Sequence, residues 1–436
     1  MNQPSALTAQ TPLNDWLSWQ EQYHVKEIDL GLDRVSAVYN LLKQQNYSTK
    51  PPEKQSVKSV YTITVAGTNG KGSCVAYLES ILVTAGYKVG VYSTPHLLAY
   101  NERIRLNGKP VSDPLITHSF AKINSVREHV SLSYFEFGTL AALDIFAEQQ
   151  VDIQILEVGL GGRLDAVNII DADAALITSI DIDHVDWLGD DIFKIAVEKA
   201  GIFRNNQVAV CGDRTVPKSL LDYANTLNIQ LQLAGRDFDI QMHTDEWQLM
   251  AEHLFAAFYP MPSLNGAHQI QNAAAVITLL ASIHKDIPVS KASLNKGLQE
   301  TTLMGRVQVI DMKPTIILDV AHNPESAVAL AEYIRSCYSN KTIHAVFSIL
   351  AGKDVTHVTS PFVGLVNQWH IALLDVHRAE SIEHMSNLLK KQGVKKYKTY
   401  ASIKAALNEA RSIAGDEDLV VCFGSFYVVE ACLEAL

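Results

Sequence analysis

The chain has 436 residues, with 47 Asp and Glu against 36 Lys and Arg and a formal net charge of −11. At 47% hydrophobic and 19% charged, with no low-complexity tract, it can build a large core. This argues against wholesale disorder and predicts two or three domains. An acidic chain without a basic tail or stripe is a poor partner for nucleic acid or an anionic membrane. Any anionic substrate must instead be drawn by a local positive pocket.

The polar segment Met1–Asp15 lacks the pattern of a signal peptide, and no uncharged apolar run approaches membrane-spanning length. The five cysteines (74, 211, 337, 422 and 432) form neither a disulfide framework nor a zinc spacing. The expectation is a reduced, cytoplasmic enzyme acting on small molecules.

Residues 12–45 read as helical, with Trp16 and Trp19 on early turns, and Lys50–Gln55 forms the first break. Tyr61–Val65 is an apolar strand run leading into Gly67-Thr68-Asn69-Gly70-Lys71-Gly72-Ser73. Val75, Leu78, Ile81 and Leu82 then share one helical face, Gly86 ends the pattern, and Lys88–Ser93 reads as the next strand. A strand, glycine-rich turn and helix aim backbone N–H groups and the positive helix end at one spot, which binds phosphate. Val65 stands where the phosphate-loop pattern has its first glycine, and Gly72 separates Lys71 from Ser73. The strand–loop–helix context favours phosphate binding over an ordinary turn, with Lys71 supplying charge and Ser73 a hydroxyl for magnesium.

Ile153–Val158, Ala174–Ile180 and Val208–Cys211 read as buried parallel strands, and Gly235–Met250 alternates like antiparallel strand. Helices are expected at Gln269–Ile283 and Val289–Gly297. A second α/β pattern follows, with strands at Thr315–Leu318, Ile343–Ile349, His370–Leu374 and Leu419–Phe423. Its helices are expected at Pro324–Tyr338, Ser381–Gln392 and Ile403–Ile413. The predicted fold is α/β: a P-loop-containing, doubly wound parallel-sheet N-terminal domain (1–300) and a smaller Rossmann-like α/β C-terminal domain (301–436), with the boundary near Thr301–Arg306. Ligands are expected at the carboxyl ends of the strands, between the two domains.

Several residues are candidates for chemistry. Glu157 ends a strand buried on both faces, where a carboxylate needs a metal, an arginine or several donors; Arg163 is the structural alternative. His184 follows a parallel strand, at the edge where active-site residues gather, or it simply caps a helix. Lys199 shares the apolar face of Ile192, Ile195 and Ala196, so it either snorkels to solvent or is buried and chemically usable. Asp319 and His322 stand at the end of a second-sheet strand, followed by a helix-capping Asn323-Pro324. Arg306 lies just past the domain boundary, within reach of a bound triphosphate or on the surface.

The ordered set resembles the Mur-ligase superfamily and, within it, the dihydrofolate synthase/folylpolyglutamate synthase family, from about Leu13 to the C-terminus. The resemblance rests on Asp29–Leu32, Gly67–Ser73, Ser93–Leu97, Glu102–Ile104, Tyr134–Glu136, Glu157–Asp165, Asp183-His184, Glu198–Gly201, Asn272, Gly305-Arg306 and Asp319–Pro324. It implies ATP- and Mg²⁺-dependent ligation of L-glutamate to dihydropteroate and to tetrahydrofolate species through an acyl phosphate, by a monomer, with K⁺ as a further cofactor left open. By resemblance, Gly67, Thr68, Asn69, Gly70, Lys71, Gly72 and Ser73 cradle the phosphates, and Asn272, Arg306 and Asp319 contact ATP. Ser93, Glu157 and His184 hold the metal. Lys199 matches a lysine carried as a carbamate, which would make it a further ligand. Lys71, Lys199 and His322 are the catalytic candidates, His322 serving the nucleotide or the incoming glutamate. Asp29, Leu30, Gly31, Leu32, Ser133, Tyr134, Phe135, Glu136, Leu164, Asp165 and Ala166 match the pterin-substrate site, with Phe135 stacking on an aromatic ring. Met304, Val167 and Gly352 depart from the family's usual proline, threonine and acidic residue.

Overall fold

The computed structural model describes residues 7–24, 26, 28–48, 60–252, 254–310 and 312–436. The break expected at Lys50–Gln55 lies outside them. There are two compact units: Met1–Met261 with Asn272–Glu300, and Pro262–Gln271 with Thr301–Leu436. The contiguous division 1–300/301–436 does not separate Pro262–Gln271, which cluster with the second unit.

The first unit is built on eight strands: β1 (Tyr61–Ala66), β2 (Val89–Tyr92), β3 (Ile104–Leu106), β4 (Lys109–Pro110), β5 (Ile153–Glu157), β6 (Ala174–Ile177), β7 (Val208–Cys211) and β8 (Gln230–Leu233). They lie in the order β4-β3-β2-β5-β1-β6-β7-β8. Strands β2, β5, β1, β6, β7 and β8 run parallel, while β3 and β4 add an antiparallel edge. Strand β1 is therefore central, with Val65 opposite Glu157 of β5 and Ala66 opposite Ile177 of β6. The chain leaves β1 for β2 on one side and later crosses to β6 on the other. The loops after β1, β5 and β6 consequently meet at one carboxyl edge, the switch point where such sheets bind ligands.

The N-terminal region forms two helices, Leu13–Tyr23 and Asp33–Ser48, where the sequence predicts one. Between the two helices Asp29 gathers His24, Lys26 and Arg34. Two further helices, Asp113–Val126 and Tyr134–Gln149, cover the sheet. In the second, every residue from Glu136 to Phe146 is buried, so it lacks the polar stripe that would betray a helix in sequence. Gly235–Met250 resolves into an antiparallel meander, β9 (Phe238–Met242), β10 (Glu246–Ala251) and β11 (Phe258–Pro260).

The second unit carries β12 (Gln308–Ile310), β13 (Thr315–Leu318), β14 (Ile343–Phe347), β15 (Gln368–Ala372), β16 (Tyr397–Tyr400) and β17 (Leu419–Phe423). Their order is β12-β13-β17-β14-β15-β16, all parallel except β12. The last strand inserts between β13 and β14, so the turn after Phe423 stands beside the Asp319–His322 turn. Among the described residues, no helix is long and apolar enough to cross a membrane.

The helix that begins at Lys71 (Lys71–Thr84) is backed by the helix Lys291–Glu300. Their closest approach is at Gly297, where an added Cβ would come within 2.6 Å of Ile81 Cα and 2.8 Å of its N. Ser80 Oγ also donates to Gly297 O at 2.8 Å. Backbone cannot yield as a flexible side chain does, so Gly297→Ala is expected to cost roughly 1–3 kcal/mol in urea unfolding through overpacking. Stability that is unchanged, or raised by alanine's better helix propensity, would contradict this close contact.

Candidate functional site

The loop after β1 is locked to the loop after β6. Gly67 has φ +147°, and a Cβ there would lie 1.9 Å from Thr178 Oγ1. Gly70 has φ +84°, and its Cβ would meet Asn272 Oδ1 at 2.7 Å. Thr68 N donates to Ser179 O at 2.8 Å, and Asn69 N to Ser179 Oγ at 3.1 Å. Thr68 Oγ1 accepts from Asp181 N and donates to Asp181 O. Strand β6 ends at Ile177 rather than Ile180, which frees Thr178–Asp181 for these bonds. The following helix begins without a side-chain cap, as a phosphate-binding helix start requires. Lys71 Nζ lies over the loop, donating to Gly67 O at 3.0 Å and Thr68 O at 3.1 Å. Ser73 is buried in the first turn.

The expected strand-end groups occupy the same edge by topology. Glu157 is 3% exposed and accepts from Thr94 N at 3.2 Å, which makes it a neighbour of Ser93. Arg163 pairs with Glu198 at 3.0 Å, so it is not the counter-ion of Glu157. Ser93 Oγ accepts from Arg105 Nη1 at 2.8 Å, and Arg105 is itself held by Glu79 of the Lys71–Thr84 helix. Lys199 is 4% exposed, so it is buried rather than snorkelling. His184 heads a short helix in the left-handed region, φ +53°, with a side chain 45% exposed and 4.0 Å from Asp183. Among the described residues, no group of three His, Cys, Asp or Glu side chains is placed to hold a metal ion. Any metal here therefore needs hydroxyl, phosphate or water oxygens as well.

The segments matched to a pterin substrate come together although they are distant in sequence. Gly31 N donates to Leu164 O at 3.2 Å. Arg34 bridges Asp29 at 2.8 Å and Glu136 at 3.1 Å. Glu136 and Ser133 cap the Tyr134–Gln149 helix reciprocally, so part of this match is structural. Phe135 stands against Gly159, whose added Cβ would lie 2.9 Å from the ring. Asp165 is buried and accepts from Gly159 N and Leu160 N at 2.9 Å and from Val167 N at 3.0 Å. Burial pushes its carboxyl up to about 7 against the pull of these three donors and the positive charge of Lys71.

In the second unit, the buried Asp319 accepts from Val307 N and Ala321 N, both at 2.7 Å. Burial raises its pKa, and Arg306 opposes that shift. The Arg306 guanidinium lies 5.1 Å from the Phe426 ring, and His322 Nδ1 lies 2.9 Å from Val320 O. The expected Arg306, Asp319 and His322 thus gather around the turns after β13 and β17.

Sequence reasoning passed over Arg34, Arg105, Thr178, Ser179 and His268. Each acts through a partner far along the chain, except that the polar pair Thr178-Ser179 at a strand end could have signalled a loop. His268 is part-buried beside Arg306, and desolvation first and the Arg306 charge second lower its pKa from 6.5 to about 4. Between those values the unfolded chain binds a proton that the folded one refuses, so stability falls as pH drops through this window. Below it the loss levels off at roughly 3 kcal/mol. His268→Gln is expected to flatten that part of the stability–pH curve; an unaltered slope would show that His268 does not set it.

Residues 65–280 match the family described as the Mur ligase middle domain, and 305–426 match the Mur ligase, glutamate ligase domain. The chain is 40% identical over 432 residues to the dihydrofolate synthase/folylpolyglutamate synthase of Escherichia coli, covering 98% of this chain and 96% of that protein. It is similar to the solved structure of E. coli FolC in complex with DHPP and ADP, with a TM-score of 0.89, 39% identity and 98% of each chain covered. A bifunctional folylpolyglutamate synthase/dihydrofolate synthase with Mn, AMPPNP and L-glutamate bound aligns with a TM-score of 0.86 and 37% identity, over 99% of each chain. With the phosphate loop, the strand-end carboxylate and both ligase domains in family order, the chain belongs to the dihydrofolate synthase/folylpolyglutamate synthase family of Mur ligases.

Proposed function

We propose that this chain is an ATP-dependent amide ligase that joins L-glutamate to dihydropteroate, forming dihydrofolate, and to tetrahydrofolate species, forming polyglutamates. The observation that carries the reading is the meeting of phosphate loop and acceptor segments: the charge of Lys71 acts on Asp165, whose carboxylate is bonded to Gly159 beside Phe135. A nucleotide phosphate and an aromatic acceptor therefore belong to one neighbourhood.

A carboxylate is a poor electrophile for an amine. In the proposed reaction an acceptor carboxylate oxygen attacks the γ-phosphorus of ATP, the bond to the bridging oxygen breaks and ADP leaves. The glutamate amine then attacks the acyl phosphate and loses a proton, and phosphate departs with one former carboxylate oxygen. Backbone N–H groups of Gly67–Ser73 hold the phosphates, and Lys71 exchanges its loop carbonyls for phosphate oxygens. Ser93, Glu157 and His184 are the proposed metal-holding groups. The buried Glu157 carboxylate, bonded to the backbone of Thr94 next to Ser93, fits a hard, oxygen-seeking cation. A divalent cation bound there would neutralise charge and align the γ-phosphate. In the same reading Lys199 is carbamylated, and Asn272, Arg306 and Asp319 contact the nucleotide. His322 serves the nucleotide or the incoming glutamate. The proposed enzyme is a cytoplasmic monomer.

ATP-dependent incorporation of labelled glutamate, measured separately with dihydropteroate and a tetrahydrofolate acceptor, should give product with both. Product from one alone would make the chain monofunctional, and product from neither, in protein that still binds ATP, would refute the folate reading. Lys199→Ala should lower both rates by about 100-fold or more, as loss of a charged site group does. Partial rescue by a short carboxylic acid is expected from a missing carbamate; rescue by a short amine instead would favour an unmodified lysine.

A further inference from the structure

Arg103 is not among the residues assigned above to phosphate, metal or pterin, yet it lies next to Ser93 in the sheet edge and against Tyr134 of the aromatic segment. Its backbone carbonyl accepts from Ser93 N at 2.9 Å. Its guanidinium centre lies 5.4 Å from the Tyr100 ring and 5.3 Å from that of Tyr134, the residue preceding Phe135. Its Nε donates to His96 Nδ1 at 2.7 Å. That bond needs a neutral imidazole, and burial together with the Arg103 charge keeps His96 neutral by lowering its pKa to about 4. Two rings and one acceptor nitrogen thus fix the plane of the guanidinium.

This charge has no anionic partner among the described residues, and no hydrogen bond there engages Nη1 or Nη2. The adjacent Glu102 is already committed: its carboxylate accepts from Leu97 N, Leu98 N and Ala99 N, each at 2.8 Å. A part-buried, oriented guanidinium with its outer fork unused is matched by a carboxylate, which it can bind through two parallel N–H···O bonds.

The two acceptors differ in one such group. Dihydropteroate carries a single carboxylate, the one that must react. A tetrahydrofolate acceptor ends in glutamate, whose γ-carboxylate reacts while its α-carboxylate stays charged and must be matched near the reacting end. We propose that Arg103 binds this non-reacting α-carboxylate and thereby sets how well the chain uses a folate relative to a pteroate acceptor. The inference rests on the two-acceptor reading above.

The test compares kcat/KM for the two acceptors in the wild-type chain and in Arg103→Gln. A lost charge-assisted bidentate contact predicts a fall in the folate-to-pteroate ratio of about tenfold or more, mostly through KM for the folate, with Arg103→Lys intermediate. A tetrahydrofolate analogue with an α-carboxamide should lose a similar factor with the wild-type chain and suffer little further loss with Arg103→Gln. An unchanged ratio, or equal loss on both acceptors, overturns the assignment. So does a wild-type chain that uses the carboxamide as well as the natural acceptor, a result that needs no folded variant. Failure of the wild type with both natural acceptors is a different outcome: it refutes the two-acceptor reading itself, and the inference falls with it.

Discussion

The site depends on how closely the loop after β1 approaches the loop after β6. Gly67 lies so near Thr178 that no side chain fits between them, and the Thr178 hydroxyl bonds back to Ala66 O and Asn69 O. The turn is therefore braced from both ends, and the uncapped start of the Lys71–Thr84 helix is fixed relative to the sheet edge. The positions of the groups at this edge follow from that bracing. Lys71 reaches the loop because the helix starts there, and Glu157 stands next to it because β5 pairs with β1 in register. The same helix carries Glu79, which through Arg105 orients the Ser93 hydroxyl.

Charge is distributed against the overall balance. A chain of formal net charge −11 repels anionic substrates at long range, so its binding edges must attract them locally. Positive charge does stand at those edges: Lys71 over the phosphate loop and Arg103 against Tyr134 in the first unit, and Arg306 beside Asp319 in the second. Buried carboxylates accompany them, each held by backbone N–H groups: Glu157 by Thr94, Asp165 by Gly159, Leu160 and Val167, and Asp319 by Val307 and Ala321. Such donors lessen the cost of burying a carboxylate and fix its orientation.

Much of the fold was legible because parallel strands buried on both faces leave continuous apolar runs, as at Ile153–Glu157 and Leu419–Phe423. Elements without that signature were missed. The edge strand Tyr397–Tyr400 alternates with lysine and threonine, and the Tyr134–Gln149 helix is apolar almost all round. The phosphate loop could be read from its own residues and context. Phe135 and Asp165 came only through family resemblance, since neither has a local pattern that announces a binding role. Arg34, Thr178 and Arg105 were out of reach because their meaning lies in partners that only the folded chain supplies.

Heavy-oxygen labelling of the dihydropteroate carboxylate tells whether the Gly67–Ser73 loop serves to activate a carboxylate by phosphoryl transfer. If an acyl phosphate forms and is displaced by the glutamate amine, one labelled oxygen must appear in the released phosphate for each amide made. Amide formation with unlabelled phosphate would mean that ATP is hydrolysed by water in a separate step, and the account of this site would be wrong.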